Sequence, residues 1–288
     1  MTHCQDRARA LFSNRNLVIA TKHKKEEVIA PVLEAALGVT CFVPENFDTD
    51  TLGTFTGEVI REEDPLSTAR KKCQMAMKAT QCDLAMASEG SFGAHPTLFF
   101  THADDEILVL VDKKNELEIV ARELSLDTNF NGSEVNSEEE LSEFARSAKF
   151  PSHGLVLRPA KDDLRVIHKG VTSWDKLLEI HRQLITKYGQ AYVETDMRAM
   201  FNPMRMAVIK TAAEKLVDTI YSCCPRCDTP GFTITGTIQG LPCRLCGLPT
   251  RLTLAHIYSC AKCSFTQEKP VSKGKSVADP QYCDYCNP

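Results

Sequence analysis

Eight of the thirteen cysteines in this 288-residue chain stand in four Cys-x-x-Cys pairs: Cys224/Cys227, Cys243/Cys246, Cys260/Cys263 and Cys283/Cys286. A pair at this spacing supplies two thiolates from one tight turn, and two pairs complete the tetrahedron that Zn²⁺ prefers. Successive pairs are separated by 15, 13 and 19 residues, so the expected chemistry is two structural Zn²⁺ ions. Each site would be closed by four thiolates, with no position left for water or substrate, which suits folding rather than catalysis. Sequential pairing, Cys224/Cys227 with Cys243/Cys246 and Cys260/Cys263 with Cys283/Cys286, is the first expectation. A nested arrangement, with the outer pairs together and the inner pairs together, is the alternative. Cys223 reads as a bystander beside Cys224, and His256 as a strand residue.

The preceding residues carry a different chemistry. Four clusters place charge where a simple fold does not need it: Ala20–Glu26, Asp48–Glu58, Ser88–Gly93 and Asp196–Arg205. The first sits at a strand-to-helix junction, where the positive helix end and Lys22, Lys24 and Lys25 suit a phosphate. The second joins Asp50 and Glu58 to Gly and Thr in a loop, a setting for a hard cation such as Mg²⁺. Glu89 lies at the end of an apolar strand, where α/β folds place ligand contacts. Arg198 and Arg205 flank a helix start at Pro203, and their forked donors match a polyphosphate. Cations at two helix starts and carboxylates in two loops are the parts that a Mg²⁺–phosphate site requires.

Elements that would position these residues follow from apolar spacing. A strand over 16–21 leads into a helix with Val28, Ile29, Val32, Leu33, Ala36 and Leu37 on one face, closing at Gly38. A strand over 39–43, a helix over 65–81 opened by Pro65, and a strand over 83–87 come next. Two or three strands are expected between 97 and 126, and a loop over 131–136. A helix capped by Ser137 and strands over 153–158 and 165–171 follow. The body closes with a helix over 173–188, a strand over 191–195 and a long helix from Pro203. Strands alternating with helices make residues 1–222 an α/β body with a mixed sheet, and residues 223–288 a small zinc-ribbon-like domain.

Composition narrows the setting. Residues 223–288 carry seven Lys/Arg against four acids, and the body 27 against 34. Thiolates on zinc would cancel the tail's small basic excess, which weakens an electrostatic case for nucleic acid. No apolar run approaches a membrane span and the first residues lack a signal-like core, so a cytoplasmic protein without membrane contact is expected. Thirteen cysteines there point to metal rather than disulfides.

Two resemblances add to this reading. The strings Ala20-Thr-Lys-His-Lys-Lys-Glu26, Asp48-Thr-Asp50, Gly53-Thr-Phe-Thr-Gly-Glu58, Ala87-Ser-Glu-Gly-Ser-Phe-Gly93, Asp196-Met-Arg-Ala199 and Asn202-Pro-Met-Arg205 resemble a family of bacterial proteins built on a domain of unknown function with a Cys-rich end. More distantly, the body is similar to inosine/xanthosine triphosphate pyrophosphatases, which cleave non-standard nucleoside triphosphates with Mg²⁺. Thr21-Lys-His-Lys-Lys25 resembles their strand-to-helix turn, with Lys25 at the phosphate lysine. Ala87-Ser-Glu89-Gly90 resembles their acidic motif, Ser67–Cys73 the helix before it, and Arg198 their late arginine. Lys22-His23 replaces their Asn-Pro, and no base-recognition segment is located. The resemblance implies their fold, with Lys25, Glu89 and Arg198 at matching positions. Together with the four clusters it leads to the expectation of a Mg²⁺-dependent hydrolase of a nucleotide or another phosphorylated small molecule, in which Lys25, Lys22, Arg198 and Arg205 bind phosphate while Glu89, Asp50 and Glu58 hold metal or orient water. The alternative expectation is a non-catalytic module that senses a ligand and docks protein or nucleic acid through its zinc ribbons.

Overall fold

A computed structural model of the chain describes residues 3–45, 47, 63–98, 100–271 and 276–288. The candidate cluster holding Asp50 and Glu58 lies outside the described residues. The chain divides into two compact units, one of residues 12–116 and 120–217, the other of residues 1–11, 117–119 and 218–288.

The larger unit contains a mixed five-stranded sheet in the order β2-β1-β3-β4-β5. Its strands are β1 (Asn16–Ala20), β2 (Thr40–Phe42), β3 (Leu84–Ala94), β4 (His102–Asp112) and β5 (Leu117–Ser125). β1 runs parallel to both β2 and β3, while β3 and β4 are antiparallel. β1 is buried from Leu17 to Ala20, the continuous apolar run expected of a strand covered on both faces.

Helix α2 (Glu26–Leu37) buries Ile29, Leu33 and Leu37 at four-residue spacing and stops at Gly38, whose φ of 71° suits a residue without a Cβ. Helix α3 (Pro65–Thr80) starts with Asp64, whose carboxylate accepts from the amides of Leu66 and Ser67, and with Pro65 at its first position. Its Ala69, Cys73, Ala76 and Met77 pack on Val18, Ala20, Ala85, Ala87 and Val109, so α3 covers one face of the sheet. From β1 the chain passes to β2 on one side and returns to β3 on the other. That reversal leaves a crevice at the carboxyl end of β1, where open α/β sheets bind ligands.

A second sheet in this unit has the order β6-β9-β7-β8, from β6 (Gly132–Glu134), β7 (Leu155–Arg158), β8 (His168–Val171) and β9 (Tyr192–Thr195). Helices α4 (Glu138–Ser147) and α5 (Trp174–Tyr188) pack Leu141, Phe144, Leu177, Ile180 and Leu184 against Leu155, Leu157 and Val193. Helix α6 (Pro203–Ile220) follows β9.

Three features depart from the sequence reading. The 131–136 stretch, expected to be loop, holds β6, a three-residue edge strand too short to show a period. Helix α1 (His3–Phe12) is unanticipated because its apolar face reduces to Ala8 and Phe12, both fully buried in an otherwise charged segment. β3 does not end near Ala87 but continues to Ala94, paired residue by residue with β4. Its polar, glycine-containing second half reads as loop because the β4 residues that pair with it, Asp104, Asp105 and Glu106 among them, cannot be identified from one sequence.

The smaller unit contains an antiparallel sheet of β10 (Thr233–Gln239), β11 (Thr253–Ser259) and β12 (Thr266–Pro270) in that order. Among the described residues no helix is long and apolar enough to cross a membrane.

Candidate functional site

The four Cys-x-x-Cys pairs gather into two groups, Cys224/Cys227/Cys260/Cys263 and Cys243/Cys246/Cys283/Cys286, the four sulfurs of each lying within 4.8 Å of one another. Close sulfur pairs are Cys224–Cys263 and Cys227–Cys260 at 3.6 Å, Cys246–Cys283 at 3.6 Å and Cys243–Cys286 at 3.9 Å. A zinc–sulfur distance of about 2.3 Å in a regular tetrahedron gives an edge of about 3.8 Å, so both cages have the size of a zinc tetrathiolate.

Both expected pairings, sequential and nested, are corrected: the pairs alternate. The reason is strand register. Thr233 at the start of β10 faces Ser259 at the end of β11, which sets Cys224/Cys227 beside Cys260/Cys263. Seven residues of β10 then carry the chain about 23 Å to the other end of the hairpin. Cys243/Cys246 form there. β12 runs back along β11, and Arg244 donates to the Ala278 carbonyl at 2.9 Å, bringing Cys283/Cys286 to that second end.

The four knuckles share one turn. The residue four places after the first cysteine donates back to that cysteine's carbonyl: Asp228 to Cys224 at 2.9 Å, Gly247 to Cys243 at 2.9 Å, Ser264 to Cys260 at 3.0 Å and Asn287 to Cys283 at 2.9 Å. Amides also reach the sulfurs, from Arg226 to Cys224 and Leu245 to Cys243 at 3.4 Å. Without metal the crowded sulfurs share charge unevenly. The Thr229 hydroxyl holds Cys227 down to about 6, while the neighbouring Cys246 sulfur pushes Cys286 up to about 12. A divalent cation relieves that conflict by coordinating all four thiolates and offsetting two of their four negative charges. The centres differ at their tips: the residues before the second cysteine are Arg226 and Lys262 at the first, but Leu245 and Tyr285, 74% and 75% exposed, at the second. Cys223 is not a bystander; it is disulfide-bonded to Cys4.

The larger unit holds a buried charged cluster. Alternation along the β3–β4 ladder puts Ser88, Gly90 and Phe92 on one sheet face with Leu108, Glu106 and Asp104, their register partners. Lys25, at the start of α2, reaches this face and donates to the Ser88 hydroxyl at 2.9 Å and carbonyl at 3.2 Å, with Glu106 Oε2 3.8 Å away. Arg205 of α6 donates through Nε to Glu106 Oε1 at 2.6 Å, contacts the Met197 carbonyl, and lies 5.1 Å from the Phe92 ring. Asn202 accepts from the Arg205 amide at 3.0 Å and so fixes the helix start. Gly90 makes the room: a Cβ there would stand 2.3 Å from Glu106 Oε1.

Asp104 is fully buried, and among the described residues neither of its carboxyl oxygens has a hydrogen-bond partner. Burial, with nearby Glu106, pushes its carboxyl up to about 8, and burial pushes Lys25 down to about 8. The native Asp104 therefore holds a proton between its ordinary 3.8 and about 8 that the unfolded chain releases, so its contribution to stability declines as pH rises through that window. Lys25 acts in the opposite sense and only higher: its contribution is full above its ordinary 10.5 and is lost as pH falls through about 8. In magnesium-free buffer, Asp104→Asn should flatten the fall in stability between about pH 6 and 8, a slope of up to about 1.4 kcal/mol per pH unit. Urea midpoints across that range test it; an unchanged slope would mean the carboxyl does not titrate there.

The remaining candidates divide. Glu89 occupies the opposite, α3-covered face, paired with Lys72. Lys22 lines a cavity of about 440 Å³ with Thr21, Lys24, Glu26, Val43, Pro44 and Phe47, at the carboxyl ends of β1 and β2. Arg198 binds Asp196 through Nε at 3.0 Å and a terminal nitrogen at 2.6 Å, and lies 4.5 Å from the Phe201 ring, apart from Arg205's partners. Asp104, Glu106 and Lys72 are not singled out from sequence, and Ser88 only as the first residue of the Ser88–Gly93 cluster. The available signal was Asp104 and Glu106 alternating just before the apolar run Ile107–Val111.

Residues 72–288 match the family described as a domain of unknown function, DUF6671. The chain belongs to it. A comparison with curated proteins finds no match. The DUF6671 match takes in Ser88, Glu89, Asp104, Glu106, Arg198, Arg205 and all eight paired cysteines, while Lys22 and Lys25 precede it.

Proposed function

We propose that the body of this DUF6671 protein is a Mg²⁺-dependent hydrolase of a nucleotide or another phosphorylated small molecule, built on a fold like that of the inosine/xanthosine triphosphate pyrophosphatases. The tail, divided from the body near residue 222, is a structural two-zinc ribbon in this reading. The observation that carries it is Asp104, a buried carboxyl with no hydrogen-bond donor among the described residues, on the same strand face as Glu106, whose Oε2 meets Lys25 at 3.8 Å without a hydrogen bond. Burying a carboxyl without a hydrogen-bond partner is costly in either protonation state, and such groups recur where a ligand supplies the missing partner.

The donor set fits magnesium, which takes hard oxygen ligands and is held by one or two carboxylates plus substrate phosphate. Asp104 and Glu106 would hold it, and when bound it would supply Lewis-acid polarisation of a phosphoryl oxygen. Lys25 and Arg205 orient Glu106, with which each is already in contact. Lys22, Lys24 and the start of α2 present positive charge to the cavity at the strand switch, where a phosphate would enter.

The test uses the full zinc-loaded chain and a panel of nucleoside triphosphates and simple phosphate esters. Mg²⁺ at a hundredfold over its Kd should stabilise the native state by about 2.7 kcal/mol. Asp104→Asn should keep its fold, lose that response and lower turnover by roughly a hundredfold or more. Absence of both phosphate release and any magnesium response would sink this reading. It would leave the non-catalytic alternative, a binding module contacting protein or nucleic acid through the ribbon tips.

A further inference from the structure

Nine cysteines belong to the smaller unit's C-terminal stretch, and the two metal centres use eight of them. The ninth, Cys223, is bonded to Cys4 of α1, whose position in sequence is 219 residues away. Their Cα atoms are 5.7 Å apart, a span that a disulfide bridges without backbone movement. Both ends are held independently of that bond. Cys223 forms a backbone bridge with Pro230, and His3 Nε2 lies 3.4 Å from the carboxylate of Asp228 in the first knuckle. Both cysteines are partly exposed, whereas in each metal centre the first cysteine of every knuckle is buried. The eight ligand cysteines are free thiols whose sulfurs meet across the knuckles at 3.6–3.9 Å, the spacing of a metal cage and not of bonds. One molecule thus contains a thiol pair poised for covalent linkage and eight thiolates arranged for zinc.

We propose that Cys4 and Cys223 form a redox-responsive clasp, closing and opening while both four-cysteine centres keep their zinc. The oxidant is a hydroperoxide. One thiol sulfur attacks the peroxide oxygen, giving a sulfenic acid and releasing one water when hydrogen peroxide is used. The second thiol sulfur then attacks the sulfenic sulfur and expels another water, forming the S–S bond. Two thiols lose two electrons and two protons, and the peroxide is reduced to two waters. A dithiol reductant returns both by thiol–disulfide exchange and becomes a disulfide itself. Zinc-bound thiolates are protected because their charge is committed to the ion, whereas Cys4 and Cys223 are free to react when reduced. Closing the clasp pins the first turns of α1, which carry Arg7 and Arg9, to the first knuckle.

The experiment takes the full zinc-loaded chain, reduced and then titrated with hydrogen peroxide. Three quantities are followed: the Cys4–Cys223 cross-linked peptide after alkylation, zinc per chain, and trypsin cleavage after Arg7 and Arg9. The clasp predicts a cross-link with both ions retained, cleavage slowed roughly tenfold, and reversal of each by dithiothreitol. Cys4→Ser should retain its zinc and show reduced-form cleavage at every peroxide level. Zinc release before or together with the cross-link would overturn the proposal. So would Cys4 and Cys223 remaining alkylatable at peroxide levels that already expel the metal, or a cleavage rate indifferent to the bond.

Discussion

Cys246→Ser/Cys283→Ser should leave one zinc ion per chain, whereas Cys246→Ser/Cys260→Ser should leave none. In the alternating arrangement the first double substitution damages a single centre, and the second damages both. Sequential pairing would lose both ions in each variant. Nested pairing would lose both in the first and one in the second. Elemental analysis of the purified variants therefore distinguishes all three arrangements, and only the alternating one retains an ion in Cys246→Ser/Cys283→Ser. The stability effect should be large, since a structural zinc centre of this kind contributes on the order of 10 kcal/mol or more to folding. Among the described residues, apolar packing in the β10–β12 sheet is sparse. β12 is exposed along its whole length, and the core beside the first centre is mainly Phe232 with the rings of Tyr258 and Phe265 at 5.7 and 6.0 Å. Loss of the first centre should therefore unfold the sheet, while loss of the second should release mainly its distal end. Circular dichroism and hydrogen exchange across β10–β12 would read the difference.

Arg205→Met should destabilise the larger unit by about 3–5 kcal/mol, the cost of stranding a buried charge by removing its partner. Arg205 and Glu106 are both essentially inaccessible to solvent, and their 2.6 Å contact is accompanied by a bond to the Met197 carbonyl. Removing the guanidinium leaves Glu106 beside Asp104 with Lys25 as the remaining nearby cation, 3.8 Å from Glu106. Glu106→Gln should cost less, because a neutral amide still accepts from Arg205. The double substitution Arg205→Met/Glu106→Gln should recover part of the loss, as neighbours sharing one interaction are not additive. Urea denaturation of the four proteins provides the cycle. Additive effects, or a cost below about 1 kcal/mol for Arg205→Met, would show that the pair is solvated in solution.

Much of this molecule follows from local rules that one sequence displays. The helix boundaries at Asp64/Pro65, Ser137 and Gly38 are set by capping groups and by φ requirements within a few residues. The metal chemistry is equally local, because a Cys-x-x-Cys turn creates half a tetrahedron by itself. Lys25 stood out because a cation at a helix start opposes the helix dipole and so needs a reason. The eight cysteine ligands and the two-ion expectation required nothing beyond the spacing.

Pairing is a different kind of property. Which knuckles meet depends on how far β10 carries the chain before it turns, and thus on register across β10, β11 and β12. The buried cluster is likewise a product of assembly. Ser88 and Glu106 come together only because β3 runs on past Ala87 against β4, and Arg205 joins them from a helix about a hundred residues later. The same pleat turns Glu89 away to Lys72 on the other face, since adjacent residues of a strand point in opposite directions. Residue types and short spacings therefore determined the thiolate donor pairs and the helix limits. Long-range pairing alone decided which groups share a centre, because a ladder aligns residues far apart in the chain with a precision no local pattern records.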